Sequence, residues 1–359
     1  MKTICFFIND LSNSGGTERI TSIAANNLSL KGYKVFILTI KNCPLPFFKV
    51  NNLVEIINLS SKNDNVAIKK ISIIKNLRRI VKQNGIDVLI NVDTILTFYS
   101  IPSLLGVKCI NICWEQFNIK ANLGLKSRDI SRLLAMLYCQ RCIVLTRGDK
   151  KAWLSKKICN SSKIKVIYNP SSYPILDNKK KRSEQIVLAV GRLTKQKGFD
   201  LLLRVWGDIT KKEGWRLKIV GGGEELSSLK ELAEQLNITD SVIFEPPTSD
   251  IDSQYKNADI FCLSSLFEGI GLVLLEAQSF GLPSLSFNCD YGPAEILNNN
   301  NGYLIPCFDI AQYAEKLSEL MQDNKLRLKM SCNAKVQAKL FTIDSFTESW
   351  LKVLDEVLL

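Results

Sequence analysis

The chain has 359 residues, of which 46% are hydrophobic and 23% charged, and its formal net charge is +12. This length suits two globular domains, and the composition excludes a disordered chain. No stretch reaches the roughly 18 uninterrupted apolar residues that span a bilayer, and the first residues lack a small-residue cleavage site, so we expect a protein that is soluble or peripheral to a membrane.

The net positive charge predicts polyanionic partners, and the candidates are nucleic acid, an anionic membrane face and phosphorylated small molecules. We interpret the charge as spread along the chain, apart from one dense basic run at 178–182. The sequence holds neither an RNA-binding aromatic motif nor a helix-turn-helix signature, so nucleic acid is not expected as a partner.

Histidine and cysteine usage narrows the possible chemistry. The chain contains no histidine, which excludes a Ser-His-Asp triad, a Cys-His pair and the usual His-containing zinc sites. Its 11 cysteines are scattered through apolar runs, as is typical of proteins in a reducing cytoplasm. Cys139 and Cys142 have redox or zinc spacing but no second pair, so packing at a helix–strand junction is the simpler interpretation.

Apolar, strand-like runs alternate with helical periods almost from end to end. In the first half the predicted strands are "TICFFI", "YKVFILTI", "DVLINV", "KCINIC", "RCIVLT" and "KIKVIYN". In the second half they are "IVLAVG", "RLKIVG", "SVIFEP", "DIFCLS" and "PSLSF". This alternation predicts an α/β fold with a parallel, doubly wound sheet in each half.

A polar segment rich in Pro, Ser and Lys separates the two halves. We therefore predict a Rossmann-like domain over 1–170, a linker over 171–185, a second Rossmann-like domain over 186–340 and an amphipathic helix over 341–359. The simplest role for that last helix is to cap the second domain. Two such domains in tandem predict a ligand cleft between them, at the carboxyl ends of the strands.

Two loops that follow predicted strands carry candidate anion-binding groups. Gly15 and Gly16 follow the first strand and let the backbone approach a ligand beside a helix start, although a tight strand–helix turn would use the same residues. The motif is not a dinucleotide fingerprint, because no GxGxxG is present. Arg192 and Lys197 follow the first strand of the second half and could bind a diphosphate, or could belong to a solvated basic loop.

A third loop, "VGGGEELSSL", contains three consecutive glycines at 221–223. Leu226 occupies the place of the final glycine of a nucleotide-binding motif. A plain strand-to-helix turn and direct ligand contact are both compatible with this pattern.

Glu268 and Glu276 stand eight positions apart around a predicted helix start. On one helix their backbones would be about 12 Å apart. This is farther than the roughly 5 to 9.5 Å between the two carboxyl groups of a glycosidase, so a hydrolase pair fits poorly. A better interpretation has the amides of 269–273 holding a phosphate, while each glutamate accepts from hydroxyls at one end of the same ligand. A core helix with one exposed glutamate is the alternative.

Three of these stretches, "SGGTER", "GRLTKQKG" and "EGIGLVLLEA", together resemble retaining glycosyltransferases of family 4, which have the GT-B fold. "GLP", "DYGPAEIL" and "NGYLIP" continue the likeness. The resemblance covers essentially the whole chain and is strongest over 186–306. Within the family the chain looks most like bacterial enzymes that build O-antigen, capsule or exopolysaccharide repeat units.

The resemblance implies a nucleotide-sugar donor held mainly by the second domain, and a last helix that crosses back to the first. Glu276 would contact the ribose and Glu268 the transferred sugar, while Gly16 would approach the diphosphate from the opposite side of the cleft. No metal is implied, because cations and helix dipoles offset the leaving charge. The implied catalytic residues are Glu268, Arg192 and Lys197; the implied donor-binding residues are Gly15, Gly16, Arg192, Lys197, Gly269, Gly271, Leu272, Val273 and Glu276.

One departure from the family lies on the acceptor side. Relatives commonly carry Glu-His after the fifth strand, whereas this chain has Glu115 and Gln116. Glutamine can donate and accept hydrogen bonds but cannot titrate. The family is thought to use a front-face mechanism, in which the leaving phosphate helps to deprotonate the acceptor, and this suits a chain without histidine.

We therefore expect a retaining, metal-independent glycosyltransferase that needs no cofactor beyond its donor, with UDP preferred to GDP as the nucleotide. The expected acceptor is a lipid-diphosphate-linked oligosaccharide, and the basic excess would hold the cytoplasmic enzyme at the anionic inner face of the plasma membrane. The alternatives are a sugar-nucleotide epimerase or phosphorylase of the same fold, and a non-catalytic subunit that binds nucleotide sugar.

Overall fold

A computed structural model describes residues 1–59, 66–122, 124–176 and 185–359. The chain forms two compact units, of which the first comprises Met1–Asn169 with Ile343–Leu359 and the second Pro170–Thr342. Most of the predicted linker, with its basic run at 178–182, lies outside the described residues. None of the helices in the described ranges combines the length and apolar character needed to cross a bilayer.

The first unit is built on a seven-stranded parallel sheet, counted over the described residues. Two inner strands, Thr3–Ile8 and Val88–Val92, are buried at every position because neighbouring strands and helices cover them, which explains their apolar character in the sequence. The strands are β1 (Thr3–Ile8), β2 (Lys34–Thr39), β3 (Val54–Asn58), β4 (Val88–Val92), β5 (Ile110–Trp114), β6 (Arg141–Val144) and β7 (Ile164–Val166), in the order β3-β2-β1-β4-β5-β6-β7.

The six strands predicted in this half are confirmed, but β3 was missed. It forms one edge of the sheet, and only Val54 of its five residues is buried, so it lacks the apolar run that marked the other strands. The helices that connect the strands are α1 (Gly16–Leu30), α2 (Val66–Gln83), α3 (Thr97–Leu104), α4 (Lys126–Tyr138) and α5 (Arg147–Leu154).

The second unit repeats the plan on a six-stranded parallel sheet within the described residues. Its strands are β8 (Gln185–Val190), β9 (Trp215–Val220), β10 (Val242–Glu245), β11 (Ile260–Leu263), β12 (Ser284–Phe287) and β13 (Gly302–Ile305), in the order β10-β9-β8-β11-β12-β13. Its helices are α6 (Phe199–Asp208), α7 (Leu226–Gln235), α8 (Ile251–Asn257), α9 (Leu272–Ser279), α10 (Pro293–Ile296), α11 (Ile310–Gln322) and α12 (Asn324–Ala338).

The strand order of the second unit reverses between β8 and β11. The chain leaves β8 toward β9 on one side, and it later returns to place β11 on the other side. Loops that follow the two strands on either side of such a reversal diverge and leave a crevice, which is where open α/β sheets bind their ligands.

The last helix, α13 (Ile343–Leu358), belongs to the first unit rather than capping the second. Trp350 is fully buried, and its ring lies 5.0 Å from Trp114 of β5 and 6.4 Å from Phe6 of β1. This aromatic cluster explains why the closing segment of the sequence places large apolar residues at helical spacing. The crossing implied by the family resemblance is thus present.

Cys139 and Cys142 pack as small hydrophobic residues. Both are almost completely buried, and they share an apolar cluster with Met136 and Trp153. Burial raises the pKa of the Cys139 thiol to about 12, so this thiol stays protonated and inert at neutral pH.

Candidate active site

The loops that follow β8 and β11 meet at the crevice of the second unit and are joined by hydrogen bonds. The Gln196 carbonyl accepts from the Leu266 amide at 2.8 Å, and the Gln196 side-chain Nε2 donates to the Phe267 carbonyl at 3.0 Å. The Ser264 hydroxyl donates to the Lys197 carbonyl at 2.8 Å. Because three separate bonds hold the two loops together, their side chains have a fixed relative position.

Gly198 makes this close approach possible. Its φ is +59°, and a Cβ at this position would stand 2.3 Å from the Ser264 carbonyl oxygen. A side chain would therefore be disfavoured both by the left-handed backbone and by the neighbouring loop. The glycine also begins α6, so it sets the direction in which the chain leaves the site.

Lys197 and Glu268, which are 71 positions apart in sequence, form a short ion pair at the centre of the joined loops. Lys197 Nζ lies 2.6 Å from Glu268 Oε1, and the Ser265 hydroxyl donates to the same oxygen at 2.7 Å. The side chains are only 19% and 9% exposed, so water screens the pair weakly. Two of the three predicted catalytic residues are thus in contact, and the lysine predicted to bind phosphate is held by the glutamate.

Arg192 lies apart from that pair, on the exposed rim of the same loop. Its side chain is 77% exposed, and among the described residues its ion-pair partner is Glu224, 3.9 Å away. Exposed pairs at this distance contribute little, so the guanidinium can reorient toward an incoming anion at small cost. The structure does not bring Arg192 into contact with Lys197 or Glu268, and its predicted role stays a prediction.

The predicted helix start between the two glutamates is confirmed at Leu272. Gly271 precedes it with φ +86°, and no side chain caps the helix. The amides of Leu274 and Leu275 bond to the Gly271 carbonyl, which leaves the start of α9 as a positive end of the helix dipole without a capping side chain. Such an end favours an anion, although contacts of Gly269, Gly271, Leu272 and Val273 with a donor stay predictions.

Glu276 lies on the buried side of α9 and is 3% exposed. The Tyr255 hydroxyl donates to its Oε2 at 2.8 Å, and the Tyr255 ring stacks on Phe280 with centroids 5.2 Å apart. Tyr255 thus orients this carboxylate. No sequence motif indicated Tyr255, because α8 lies outside the motifs that resemble the family. Whether Glu276 contacts a ribose stays a prediction.

The three consecutive glycines after β9 are explained by packing against the loop after β8. A Cβ at Gly221 would lie 1.9 Å from the Gly191 carbonyl oxygen, and one at Gly223 would lie 2.3 Å from that of Leu193. The Leu193 amide also donates to the Gly222 carbonyl at 3.0 Å. This close backbone approach accounts for the motif as a turn that supports the Arg192 loop.

In the first unit, Gly15 and Gly16 form the start of α1. Gly15 has an extended backbone at φ −78° and no side chain caps the helix. The Glu18 carboxylate of the first turn lies against this helix start, since a Cβ at Gly15 would stand 2.3 Å from Glu18 Oε2. The two glycines therefore share the predicted anion-binding turn with an acid of the chain itself. They lie in a different unit from the Lys197–Glu268 pair, and their contact with a donor stays a prediction.

Glu115 is completely buried and holds the loop that follows β5. Its carboxylate accepts from Arg132 Nε at 2.9 Å, from the Thr94 hydroxyl at 2.8 Å, and from the backbone amides of Gln116 and Phe117 at 3.1 Å each. Burial, followed by the charge of Asp93, raises the pKa of this carboxyl, while Arg132 opposes the shift. The predicted acceptor contact is untested, but the structure encloses this carboxylate.

Arg132 extends the same network along the loop. It donates to the carbonyls of Asn118, Ile119 and Ala121 at 3.1, 2.8 and 2.9 Å. One buried guanidinium thus bridges the Glu115 carboxylate and three backbone carbonyls, which fixes the path of the chain at this edge of the sheet.

Asp93, directly after β4, was missed by the sequence reasoning. Its φ is +111°, which is rare for a residue with a side chain. Arg128 binds it with both terminal nitrogens, at 3.1 and 2.7 Å, and stacks over Phe117 at 4.6 Å. An acid directly after a buried strand was the available signal. The strain is tolerated because the bidentate ion pair holds the carboxylate.

Gln116 retains an unused hydrogen-bond donor. Its Oε1 accepts from Asn169 Nδ2 at 3.3 Å, while its Nε2 is buried and has no partner among the described residues. Asn169 was also missed, because its place beside Gln116 depends on the order of β5, β6 and β7 rather than on a motif. The amide is consistent with the predicted acceptor-side position, which stays a prediction.

Comparison with known proteins identifies the family. Residues 176–337 match the family described as "Glycosyl transferases group 1". A protein of Haemophilus influenzae described as an uncharacterized glycosyltransferase is 35% identical over 99% of this chain and 100% of its own length. The chain belongs to the group 1 glycosyltransferases.

Two further relatives of this glycosyltransferase carry more specific descriptions. A glycosyltransferase of amylovoran biosynthesis from Erwinia amylovora is 29% identical over 91% of this chain and 92% of its own. The other is an α-1,4-N-acetyl-D-galactosaminyltransferase of Campylobacter jejuni, named for a saccharide linked to PP-undecaprenol. It is 28% identical over 99% of both chains.

Solved structures agree on the fold of the glycosyltransferase. The apo form of a lipopolysaccharide outer core galactosyltransferase superposes with a TM-score of 0.78 over 99% of both chains, at 19% identity. An Anabaena protein in complex with UDP and glucose superposes with a TM-score of 0.81 over 98% of this chain and 99% of its own, at 15% identity. Both likenesses support two Rossmann-like units of the GT-B type.

Asp149 of the glycosyltransferase gives a testable pH dependence. Burial raises the pKa of this carboxyl to about 7, although its Oδ1 accepts from the Ile119 amide at 2.8 Å. The folded state therefore binds more protons than the unfolded state between about pH 4 and pH 7, and stability falls as the pH rises through that range.

We expect Asp149→Asn, which keeps an oxygen for the Ile119 amide, to remove this loss. The variant's advantage over the wild type in free energy of unfolding should grow by about 2–4 kcal/mol between pH 5 and pH 8. Urea unfolding of both proteins at the two pH values measures the difference. An equal gain at both pH values would show that ionisation of Asp149 is not the cause.

Proposed function

We propose that this glycosyltransferase is a retaining, metal-independent enzyme that takes its sugar from a UDP-sugar, with GDP-sugar as the second candidate. Its acceptor would be a lipid-diphosphate-linked saccharide in bacterial surface polysaccharide assembly, at the cytoplasmic face of the membrane. The observation that carries this proposal is the ion pair in the crevice of the second unit, where Lys197 of the loop after β8 meets Glu268 of the loop that leads into the uncapped start of α9.

The charges at this crevice suit a diphosphate bonded to a sugar. Lys197 supplies a partly buried cation, Arg192 an exposed one, and the start of α9 a positive dipole end. Glu268 supplies a carboxylate acceptor within reach of the same cation, as a sugar hydroxyl next to the phosphate requires. The structural likeness to a protein in complex with UDP and glucose supports uracil as the base.

The reaction needs no titrating side chain. The bond between the anomeric carbon and the donor phosphate oxygen breaks, and the acceptor hydroxyl oxygen bonds to the same carbon on the same face. The acceptor proton passes to the departing phosphate oxygen. Lys197 and Arg192 offset the negative charge that develops on that phosphate, which is where preorganised cations accelerate a reaction most. A chain without histidine can perform each of these steps.

Two relatives support the acceptor class. The Campylobacter relative is named for an acceptor linked to PP-undecaprenol, and the Erwinia relative for the biosynthesis of the polysaccharide amylovoran. Both align with nearly the whole of this chain, so the likeness extends to the first unit as well as to the second.

A donor screen tests the proposal. We expect UDP to raise the melting temperature of the purified protein, because a ligand that binds only the folded state stabilises it by mass action. With the correct UDP-sugar and a lipid-diphosphate saccharide, UDP should be released and an α-linked product formed from an α-linked donor.

The screen also separates the alternatives. Nucleotide binding without any product would indicate a non-catalytic subunit, and an altered sugar nucleotide without an acceptor product would indicate an epimerase. Release of a sugar phosphate would indicate a phosphorylase. Absence of both stabilisation and release across UDP- and GDP-sugars would exclude the proposed donor.

A further inference from the structure

Helix α4 of the first unit presents an apolar ridge to solvent. Ile130, Leu133 and Leu137 follow one another at helical spacing and are 53%, 40% and 51% exposed. Leu125 and Tyr138 extend the ridge at the two ends of the helix, with 53% and 60% exposure. Large apolar side chains grouped in this way on a soluble unit mark an interaction surface rather than a random surface position.

The opposite face of α4 is already fully used. Arg128 binds Asp93, and Arg132 binds Glu115. One turn further along the same face, Ala135 joins the buried core of the unit. The helix is therefore anchored without any contribution from the ridge, and the exposed apolar residues have no role in folding that would account for them.

The net charge of the chain is concentrated in the sequence segment that contains this helix. Between positions 120 and 165 there are twelve Lys or Arg and two Asp, so this segment carries +10 of the net charge of +12. The sequence interpretation of a charge spread along the chain was therefore wrong. Counting charge in windows, rather than looking for dense runs, would have found it.

Most of these cations remain available to a partner. Arg128 and Arg132 are buried in ion pairs, and Arg141 and Lys165 pair with Glu356. Seven of the other eight cations have no ion pair among the described residues: Lys126, Arg147, Lys150, Lys151, Lys156, Lys157 and Lys163.

Two cations stand at the ends of the ridge itself. Lys126 opens α4, and it lies on the same helical stripe as Ile130 and Leu137. Lys163 Nζ donates to the Leu137 carbonyl at 3.1 Å, which places its ammonium at the last turn. An apolar stripe with a cation at each end matches the arrangement of an interfacial helix, whose apolar side enters the acyl boundary while its cations contact lipid phosphates.

We infer that the α4 ridge docks the first unit onto an anionic phospholipid bilayer, with Ile130, Leu133 and Leu137 entering the interface and Lys126 and Lys163 contacting headgroup phosphates. The inference rests on the proposed function only in that a lipid-linked acceptor requires the enzyme at a membrane. An electrically neutral partner would leave the cations of this segment that have no ion pair uncompensated, whereas an anionic surface attracts them.

Vesicle flotation tests the ridge directly. The full chain should float with vesicles of phosphatidylglycerol and phosphatidylethanolamine in equal parts, and not with phosphatidylcholine vesicles. We expect Ile130→Ser/Leu137→Ser to weaken binding at least about tenfold through lost apolar burial, and Lys126→Gln/Lys163→Gln to weaken it about tenfold at low salt. At high salt the Lys126→Gln/Lys163→Gln variant should bind vesicles as well as the wild type does, because salt screens the charges. The Ile130→Ser/Leu137→Ser variant should still bind more weakly than the wild type.

A matched control comes from the second unit. Leu328 and Val336 of α12 are 47% and 63% exposed, so Leu328→Ser/Val336→Ser removes comparable apolar surface away from α4. It should leave flotation unchanged. Equal binding by the Ile130→Ser/Leu137→Ser variant and this control would overturn the inference.

Two further measurements distinguish bilayer docking from self-association and from a defect in the donor site. If the wild type is a dimer without lipid and Ile130→Ser/Leu137→Ser is a monomer, the ridge binds a second copy and the bilayer inference fails. UDP release with a water-soluble acceptor should be the same in the wild type and the ridge variant. Loss of release in both would contradict the proposed function while leaving the flotation result to stand on its own.

Discussion

Lys197→Met is expected to lower kcat/KM for sugar transfer by about a hundredfold to a thousandfold, because it removes the partly buried cation that would offset charge on the leaving phosphate. Methionine keeps the length and the apolar stem of lysine, so packing in the loop is largely preserved. Initial rates of UDP release at varied donor concentration measure the effect. The loss should fall mainly on kcat, since the charge on the phosphate increases in the transition state.

Lys195→Met is the matched control, because Lys195 belongs to the same short 3-10 turn, Lys195–Lys197, but is exposed. It should retain most of the activity. If the two variants lose activity to a similar extent, the effect comes from the general positive charge of the loop and not from the Lys197–Glu268 pair.

Glu268→Gln distinguishes the proposed binding of phosphate by Lys197 from the proposed binding of the transferred sugar by Glu268. The amide keeps an oxygen for the Ser265 hydroxyl but no longer neutralises Lys197. UDP should therefore bind at least as tightly as to the wild type, while transfer of the sugar falls by a factor comparable to that for Lys197→Met. Weaker UDP binding in this variant would show that Glu268 supports the fold of the loop rather than the sugar.

Gly198→Ala is expected to be strongly damaging although it adds only one methyl group. The new Cβ would lie 2.3 Å from the Ser264 carbonyl, in a left-handed conformation with φ +59°. We expect the free energy of unfolding to fall by about 2–4 kcal/mol and activity to be lost, because the loops after β8 and β11 must separate.

Gly214→Ala provides the control for backbone conformation alone. Gly214 has φ +85°, but the nearest atom to an added Cβ is the side-chain Oε1 of Gln185 at 4.0 Å. It should cost about 1 kcal/mol and leave activity intact. Similar costs for the two alanine variants would mean that Gly198 is required for its φ angle and not for the approach of the loops.

The fold could be predicted from the sequence because buried parallel strands have an unmistakable composition. β1 and β4 are buried at every residue, so each is an apolar run. β3 escaped prediction because an edge strand needs only one apolar face. The exposure of the α4 ridge could not be predicted from the sequence either. A helical pattern shows which residues share a face, but it does not show whether another element packs on that face.

The site was predictable only where a local motif carried it. Lys197 and Glu268 each lie in a recognisable loop, and the strand order explains why those loops meet. Tyr255 and Asn169 carry no local signal, and Asp93 carries only its place after a buried strand, because each acts through a partner at least 21 positions away. Such partners follow from the topology of the sheet, which periodicity alone does not give.

The mutual neutralisation of Lys197 and Glu268 would make binding of the proposed donor cooperative. A diphosphate that drew the ammonium toward itself would leave the carboxylate to accept from a hydroxyl, so each portion of the donor would strengthen the binding of the other, and this coupling would be reciprocal. A monosaccharide without phosphate would leave Lys197 paired with Glu268, so this carboxylate would be less able to accept from the sugar hydroxyls. The crevice would thus reject abundant cytosolic sugars without any steric barrier and admit only those that arrive activated.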